Sequence, residues 1–411
     1  MVTARKQLSQ RADYTHKYNV RSGRHGWLRL TPAYSVKIVE ELINKYDGSI
    51  RIFDPFCGTA TTALSAAYHG HEGVTTDINP FLIWLGQAKT AYYSPEIIAA
   101  SRFASIRALE IVKKGGIQGV PRPPIHNIER WWSENALIFL CQLRAAIDEV
   151  TQVDSQQRTI LLVAFCRTLI ALSNAAFNHQ SMSFKDSDRI PLLLDVDMCS
   201  SYAEDVEFVL LGAAENPTGT GTVILGDARN PSAATNGLFH RVITSPPYAN
   251  RMSYIRELRP YMYWLGFLEK SRDAGELDWL SIGGTWGIAT SRLNEWQHES
   301  DHFESDLLSA VRDNMTHNDN KNGRILANYV AKYFDDMWMH FKGLRSMLAP
   351  GGEIHYIVGN STFYKVLLPV EQLYAAMLKT LGFQSIKCIA LRKRNSKKEL
   401  IEFDVTATWH G

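Results

Sequence analysis

At 411 residues the chain can bury a sizeable core, in one large domain or two. An apolar fraction of 45% and a charged fraction of 21% are ordinary for a soluble globular protein, and a net charge of +2 is too small to announce a nucleic-acid partner. The five cysteines (Cys57, Cys141, Cys166, Cys199, Cys388) are odd in number and scattered, which indicates neither a disulfide framework nor a zinc site. The polar amino end does not read as a signal peptide. The longest apolar stretch, 159–177, is broken by Arg167 and reads as a buried helix, so a cytoplasmic protein with no membrane span and no metal is expected.

Charge is unevenly placed. Residues 1–30 hold seven Lys/Arg, Arg21 and Arg24 among them, against Asp13 alone. A second basic run, 387–398, holds Lys387, Arg392, Lys393, Arg394, Lys397 and Lys398 and no acid. Either run can track phosphates or form a solvated face. After the basic arm, Thr31 reads as a helix cap with Pro32 in the first turn, and Val36, Val39, Leu42 and Ile43 share one helical face. A strand, Ile50-Arg51-Ile52-Phe53, ends in Asp54-Pro55-Phe56-Cys57-Gly58-Thr59. A helix over 60–69 follows, then a strand over 73–76 closed by Asp77, and a helix reaching Lys89 after Asn79-Pro80.

Asp77 follows Gly58 by 19 residues, near the ~20-residue spacing expected when a carboxylate takes ribose hydroxyls. Gly58 lets a ligand approach the backbone, the helix amino end supplies N–H groups, and Asp77 accepts from both hydroxyls. A helix-capping aspartate is the plainer reading. One glycine matches G-x-G-x-x-G poorly, which counts against a nicotinamide or flavin dinucleotide.

From 94 to 219 the pattern is helical, with helices over 96–113, 130–150, 154–178 and 200–211. The polar stretch Asn178-His179-Gln180-Ser181-Met182-Ser183-Phe184-Lys185 closes the third, as a loop that touches a polymer or as a loop only. The α/β rhythm returns at Thr222-Val223-Ile224-Leu225-Gly226-Asp227-Ala228, and a further strand, 239–243, runs into Thr244-Ser245-Pro246-Pro247-Tyr248. The two prolines stiffen this loop and donate no backbone hydrogen, Ser245 adds a hydroxyl acceptor, and Tyr248 offers a face to a planar base. Such a loop suits an exocyclic amino group, whose two N–H bonds need two fixed acceptors. A Pro-Pro turn closing a strand is the alternative. Asn250, Arg251 and Arg256 lie just beyond, with Arg256 on a helix whose apolar face is Ile255, Leu258, Met262 and Leu265. Residues 270–327 are irregular in pattern, and a helix over 329–348, a strand over 353–358, a helix over 370–381 and strands over 386–391 and 400–408 complete the chain.

Together these stretches resemble the S-adenosylmethionine-dependent amino-group DNA methyltransferases, most closely those of N4-cytosine type. Asp54 to Thr59 is similar to their cofactor loop, Asp77-Ile78-Asn79-Pro80 to the acidic motif after it, and Gly226-Asp227-Ala228-Arg229 to the motif that contacts adenine. Thr244 to Tyr248 resembles their catalytic loop, Pro350-Gly351-Gly352 the later half of the fold, and Leu30-Thr31-Pro32 the segment over the methionine end of the cofactor. The resemblance covers 25–90 and 220–411. It implies an α/β fold, a Rossmann-like seven-stranded class I methyltransferase sheet with its last strand antiparallel, carrying an all-helical insertion. In that frame 1–93 is the arm and cofactor half, 94–219 the helical insertion and a candidate for target recognition, and 220–411 the catalytic half with an irregular insertion at 270–327. Ala60 stands where such loops often place a second Gly, which would narrow the cofactor's approach. With no recognition domain after the last strand, target selection falls to 94–219, to 249–327 or to another subunit.

The implied reaction moves a methyl group from S-adenosylmethionine to N4 of cytosine in double-stranded DNA, within a restriction-modification system. Ser245 and the Pro246 carbonyl accept the two amino protons, so the nitrogen pyramidalises and aims its lone pair at the methyl group. The base leaves the stack and slots against Tyr248, with Pro247 holding the loop. The resemblance assigns Thr31, Pro32, Asp54, Pro55, Phe56, Cys57, Gly58, Thr59, Asp77, Ile78, Asp227 and Ala228 to the cofactor. Arg21, Arg24, Asn178, His179, Gln180, Lys185, Asn250, Arg251 and Arg256 are the candidate DNA contacts. Ser245 leans towards cytosine, since aspartate or asparagine there favours adenine in the family. An adenine-N6 DNA methyltransferase, an RNA base methyltransferase and an inactive DNA-binding subunit are the alternatives, and monomer and homodimer both stay open.

Overall fold

A computed structural model of the chain describes residues 8–20, 22–30, 34–45, 48–176, 183–184, 197–250, 253–284, 288–318, 323–363, 365–394 and 400–411. At its centre seven strands form one sheet: β1 (Arg51–Asp54), β2 (Glu72–Asp77), β3 (Thr220–Leu225), β4 (Phe239–Thr244), β5 (Leu348–Gly359), β6 (Gln384–Lys393) and β7 (Ile401–Trp409). Their spatial order is β3-β2-β1-β4-β5-β7-β6. Strands β1 to β5 pair in parallel, and β7 runs antiparallel to both β5 and β6. This is a Rossmann-like α/β sheet of seven strands, with its last strand reversed. The chain order turns back between β1 and β4, and such a switch point opens a crevice at the carboxyl ends of the strands.

Helix α1 (Val36–Ile43) starts later than expected: Ser35, not Thr31, caps it, its Oγ accepting from the Lys37 amide at 3.2 Å. Thr31 and Pro32 lie outside the described residues. Helices α2 (Thr61–Tyr68) and α3 (Pro80–Thr90) follow β1 and β2. The insertion holds α4 (Pro95–Lys113), α5 (Glu134–Val150), α6 (Gln156–Ala171) and α7 (Met198–Ala214), each begun by a Ser or Asp side chain that accepts from the first turn. It is not all helical. Helix α6 stops at Ala171, and Ala175 and Ala176 pair as a short antiparallel ladder with Phe184 and Ser183. Nor is its core its own: Trp132, Leu140 and Phe165 pack in one buried cluster with Phe81 of α3 and Trp264 of α8 (Tyr254–Trp264).

The 270–327 region is built of helices: α9 (Ser271–Leu280), α10 (Ile288–Glu295), α11 (Asp306–Asn318) and the start of α12 (Gly323–Leu344). Leu326, Val330, Phe334, Met337 and Phe341 put one buried stripe of α12 against the sheet. Helix α13 (Val370–Thr380) leads into β6. No described helix is long and apolar enough to cross a membrane.

Arg24 does not face solvent or nucleic acid. Its side chain is fully buried, and the guanidinium donates to the carbonyls of Lys89 (2.9 Å), Ala91, Gly212 (2.9 Å) and Ala213 (2.8 Å) and to Asn216 Oδ1 (2.8 Å). Those carbonyls close α3 and α7, where a cation suits the negative helix ends. The arm is therefore stapled to the fold through this side chain. Replacing Arg24 with Ala removes the donor from these carbonyls, each costing ~1–3 kcal/mol when left buried and unpaired. We expect Arg24→Ala to lose about 3 kcal/mol or more of stability in urea denaturation. Wild-type stability together with weakened DNA binding would return Arg24 to a phosphate role.

Candidate functional site

An open cleft, about 1250 Å3 with the open solvent at its mouth included, lies at the carboxyl ends of β1, β2, β3 and β4. Pro55, Phe56, Cys57, Gly58 and Thr59 enter it after β1, Asp77, Ile78 and Asn79 from β2, Gly226, Asp227 and Ala228 after β3, and Ser245, Pro246, Pro247 and Tyr248 after β4. Loops separated by up to 193 residues of sequence, Pro55 to Tyr248, thus share one wall. Arg29, Tyr34, Tyr254, Glu257, Tyr261 and Leu280 to Ile282 complete it. Arg21, Asn178, His179, Gln180, Lys185 and Arg251 lie outside the described residues. Asn250 follows the loop, its amide donating to the Tyr248 carbonyl at 2.8 Å, and Arg256 is half-buried on α8 without lining the cleft.

The loop after β1 is held by its acid neighbours. Gly58 takes φ +49°, and its amide donates to Asp77 Oδ2 at 3.1 Å, while Asp77 Oδ1 accepts from the Asn79 amide at 2.9 Å. Burial pushes the Asp77 carboxyl up to about 6. Ala60 does not narrow the cleft. At φ +58° its methyl turns inward, fully buried against Cys57, Ile83 and Val223. Beneath the loop the buried Lys89 ammonium donates to the Thr59 carbonyl at 3.0 Å and the His25 carbonyl at 3.4 Å, and burial lowers it to about 8.

Asp54 also departs from the expectation, because it does not reach the cleft. It is fully buried, and Oδ1 accepts from the Phe56 amide (3.0 Å) and from Thr244 Oγ1 (2.5 Å). Its part is to brace the loop rather than to touch a ligand. Asp227 is held by Arg229, whose Nη2 and Nε donate at 2.6 Å and 3.0 Å. Burial opposes the charge, but that guanidinium keeps the Asp227 carboxyl below its usual range. Arg229 also donates to Asp336 (3.2 Å) and to the Leu280 carbonyl (2.8 Å), which ties the end of α9 to the cleft rim. His340 of α12 donates through Nδ1 to the Ala228 carbonyl at 2.7 Å, so Nε2 accepts from the Tyr356 hydroxyl at 2.5 Å. Burial holds His340 down to about 4, hence neutral.

In the loop after β4, the Ser245 hydroxyl donates to the Ile357 carbonyl at 3.1 Å, which turns its lone pairs elsewhere. Tyr333 of α12 donates to the Pro247 carbonyl at 2.8 Å, and the Tyr254 hydroxyl accepts from the Tyr248 amide at 3.0 Å. Tyr34, Tyr261, Tyr333 and His340 escaped the sequence reading. Tyr254, Leu258 and Tyr261 share a helical face, but that spacing looks the same whether the face meets a core or a cleft. What the cleft offers chemically is an acid poised for hydroxyls, a close-approach glycine, and hydroxyl and carbonyl acceptors beside an aromatic ring.

No family model matches the chain. Among curated proteins it is similar to the Type II methyltransferase M.MvaI of Kocuria varians, 22% identical over 388 aligned residues that span 89% of this chain and 81% of that protein. It is equally similar to the Type II methyltransferase M.BsoBI of Geobacillus stearothermophilus, 22% identical over 435 aligned positions, 94% of this chain and 84% of the other. Among solved structures, the rRNA methyltransferase aviRa from Streptomyces viridochromogenes aligns over 92% of this chain and 87% of its own at 11% identity and a TM-score of 0.28, too loose a likeness to argue from.

The Asp54 carboxyl yields a test of the site's electrostatics. Among the described residues its Oδ2 has no hydrogen-bond partner, and burial pushes the group up to about 7. An acid raised above its unfolded value of ~3.9 gives stability that is full below that pH and is lost as pH rises to the folded value. Asp77, at about 6, acts in the lower part of the same window, and buried His340, held to about 4, works in the opposite sense up to about 6.5. We expect the melting temperature of Asp54→Asn, which keeps an acceptor for Phe56 and Thr244, to gain on that of the wild type as pH rises from 6 to 7. A constant difference between the two would place the titration elsewhere.

Proposed function

We propose that the chain is an S-adenosylmethionine-dependent DNA methyltransferase that acts on N4 of cytosine in duplex DNA and serves a restriction-modification system. One observation carries the reading: a single cleft joins the Gly58–Asp77 corner to the Ser245-Pro246-Pro247-Tyr248 loop at the carboxyl ends of adjacent strands. The similarity to two Type II methyltransferases over most of each chain supports it.

The residues fit the cofactor. A side chain at Gly58 would meet only the Phe56 carbonyl at 3.7 Å and otherwise open space, so the glycine leaves room where a ligand would lie. Asp77 takes the ribose hydroxyls, Asp227 and Ala228 border the adenine, and Arg29, the single cation among the described lining residues, suits the methionine carboxylate. The bound cofactor supplies an electrophilic methyl group. The chain's own work is to hold the amino group. Because the Ser245 hydroxyl proton is committed to Ile357 and the Pro247 carbonyl to Tyr333, Ser245 Oγ and the Pro246 carbonyl are the acceptors for the two amino protons. Preorganised acceptors of this kind let the nitrogen lone pair form without a strong base, and the surplus proton leaves to water after transfer.

Incubating the purified protein with methyl-tritiated cofactor and unmethylated duplex DNA, then separating the nucleosides, tests the reading. Label in N4-methylcytosine is expected. Label in N6-methyladenine would move the acceptor to adenine, and unlabelled DNA would sink the proposal. Asp77→Ala is expected to weaken cofactor binding ~10- to 100-fold in calorimetry, the loss of charge-assisted bonds to both hydroxyls. Because Asp77 ionises at about 6, wild-type affinity should fall as pH drops through that value, whereas Asp77→Asn should be insensitive to it. Wild-type affinity in Asp77→Ala would end the ribose assignment.

A further inference from the structure

The β6–β7 hairpin reaches back to Tyr248 with three charged side chains. Glu402 on β7 is 3% exposed, and its Oε1 accepts the Tyr248 hydroxyl at 2.8 Å. Arg392 on β6 grips the same carboxylate with both arms of its fork, at 2.7 Å and 3.0 Å. The guanidinium of Arg394, just past β6, lies 4.7 Å from the centre of the Tyr248 ring. Tyr248 lines the cleft and Arg394 does not, so the cation covers the ring from outside it. Arg394 is itself fixed, its Nη1 donating to the Asn360 carbonyl at 2.7 Å and its amide to the Leu400 carbonyl at 2.9 Å. The space it occupies exists because β5 ends in Gly359: a Cβ there would stand 2.6 Å from Arg394 Nη1.

A loop tyrosine needs none of this to close a strand. A buried carboxylate with two arginines around one ring fixes the ring's plane, its hydroxyl and its outer face together, and leaves the cleft side for a planar partner. We propose that Arg394, seated by Gly359 and supported by the Arg392–Glu402 pair, is a positioning residue that presents the cleft face of Tyr248 as a preformed platform for the target base. The proposal rests on the reading of the cleft as a DNA base methyltransferase site. It adds a second part to the basic run at 387–398: two of its arginines serve the site from within the protein rather than phosphate from outside.

Three variants test it, each assayed for turnover on unmethylated duplex DNA and for cofactor affinity by calorimetry. Arg394→Met removes the cation and keeps the bulk. Gly359→Ala displaces the guanidinium while leaving the arginine in place in the sequence. Arg394→Lys restores charge without the fork. The first two are expected to lower kcat ~10-fold while cofactor affinity stays within about twofold, and Arg394→Lys to fall between them and the wild type. Turnover of Arg394→Met at the wild-type rate would overturn the proposal, as would a loss of cofactor affinity matching the loss of turnover, since that marks general damage to the cleft. A wild-type protein that binds cofactor but labels no DNA would overturn the methyltransferase reading first, and the platform with it.

Discussion

The hydrogen bond from Thr244 Oγ1 to Asp54 Oδ1, 2.5 Å and fully buried, is the joint on which the cleft depends. Asp54 ends β1 and Thr244 ends β4, so one carboxyl ties the glycine-bearing loop to the Ser-Pro-Pro-Tyr loop. Around it Thr75 Oγ1 donates to the Asp54 carbonyl at 2.8 Å and Thr62 Oγ1 to the Ile243 carbonyl at 3.0 Å, which lock the neighbouring strand and helix to the same point. A transfer between two bound molecules needs their reacting atoms fixed to a fraction of an ångström, and short buried bonds between strand ends supply that stiffness. Helix α12 repeats the tie from behind, with Tyr333 on the Pro247 carbonyl and His340 on the Ala228 carbonyl.

The arrangement places polar groups where burial is expensive, and each is offset locally. The fully buried Lys89 donates to two carbonyls, and it holds the backbone of Thr59. Arg24 does the same for the helix ends beside it. Replacing such cations with apolar groups would leave carbonyls without donors, so they are retained for what they hold in place. Lys89 lies under the loop after β1, so that side of the cleft is held by a buried cation and the Tyr248 side by the Arg392–Glu402 pair.

Much of this was legible in the chain. Strand ends at Asp54, Asp77, Asp227 and Ser245 follow from apolar runs stopped by acids, glycines and prolines, and the sheet order brings those ends together. What the residues alone could not place was the destination of side chains. Asp54 and Asp77 look alike in sequence, yet one faces Thr244 in the core and the other the cleft, a difference set by partners far along the chain. Arg24 sits in a run of surface-like charges but meets carbonyls about 65 and 190 residues away. Ala60 stands at a glycine-like φ with its methyl turned from the cleft, a matter of local handedness that residue type does not reveal. The helices between 271 and 318 were hidden by their many polar residues, since their apolar stripes are narrow and broken.

On the proposed reading, cofactor and base meet in one cleft, the cofactor at the ends of β1, β2 and β3 and the base at the end of β4. Hydrogen–deuterium exchange with S-adenosylhomocysteine, and then with duplex DNA added, tests it most directly. Protection by the nucleoside alone at 56–59, 77–79 and 226–228, followed by further protection at 245–250 on adding DNA, is the predicted result. Protection by the nucleoside outside the cleft, or by DNA with the 245–250 loop unchanged, would contradict the account.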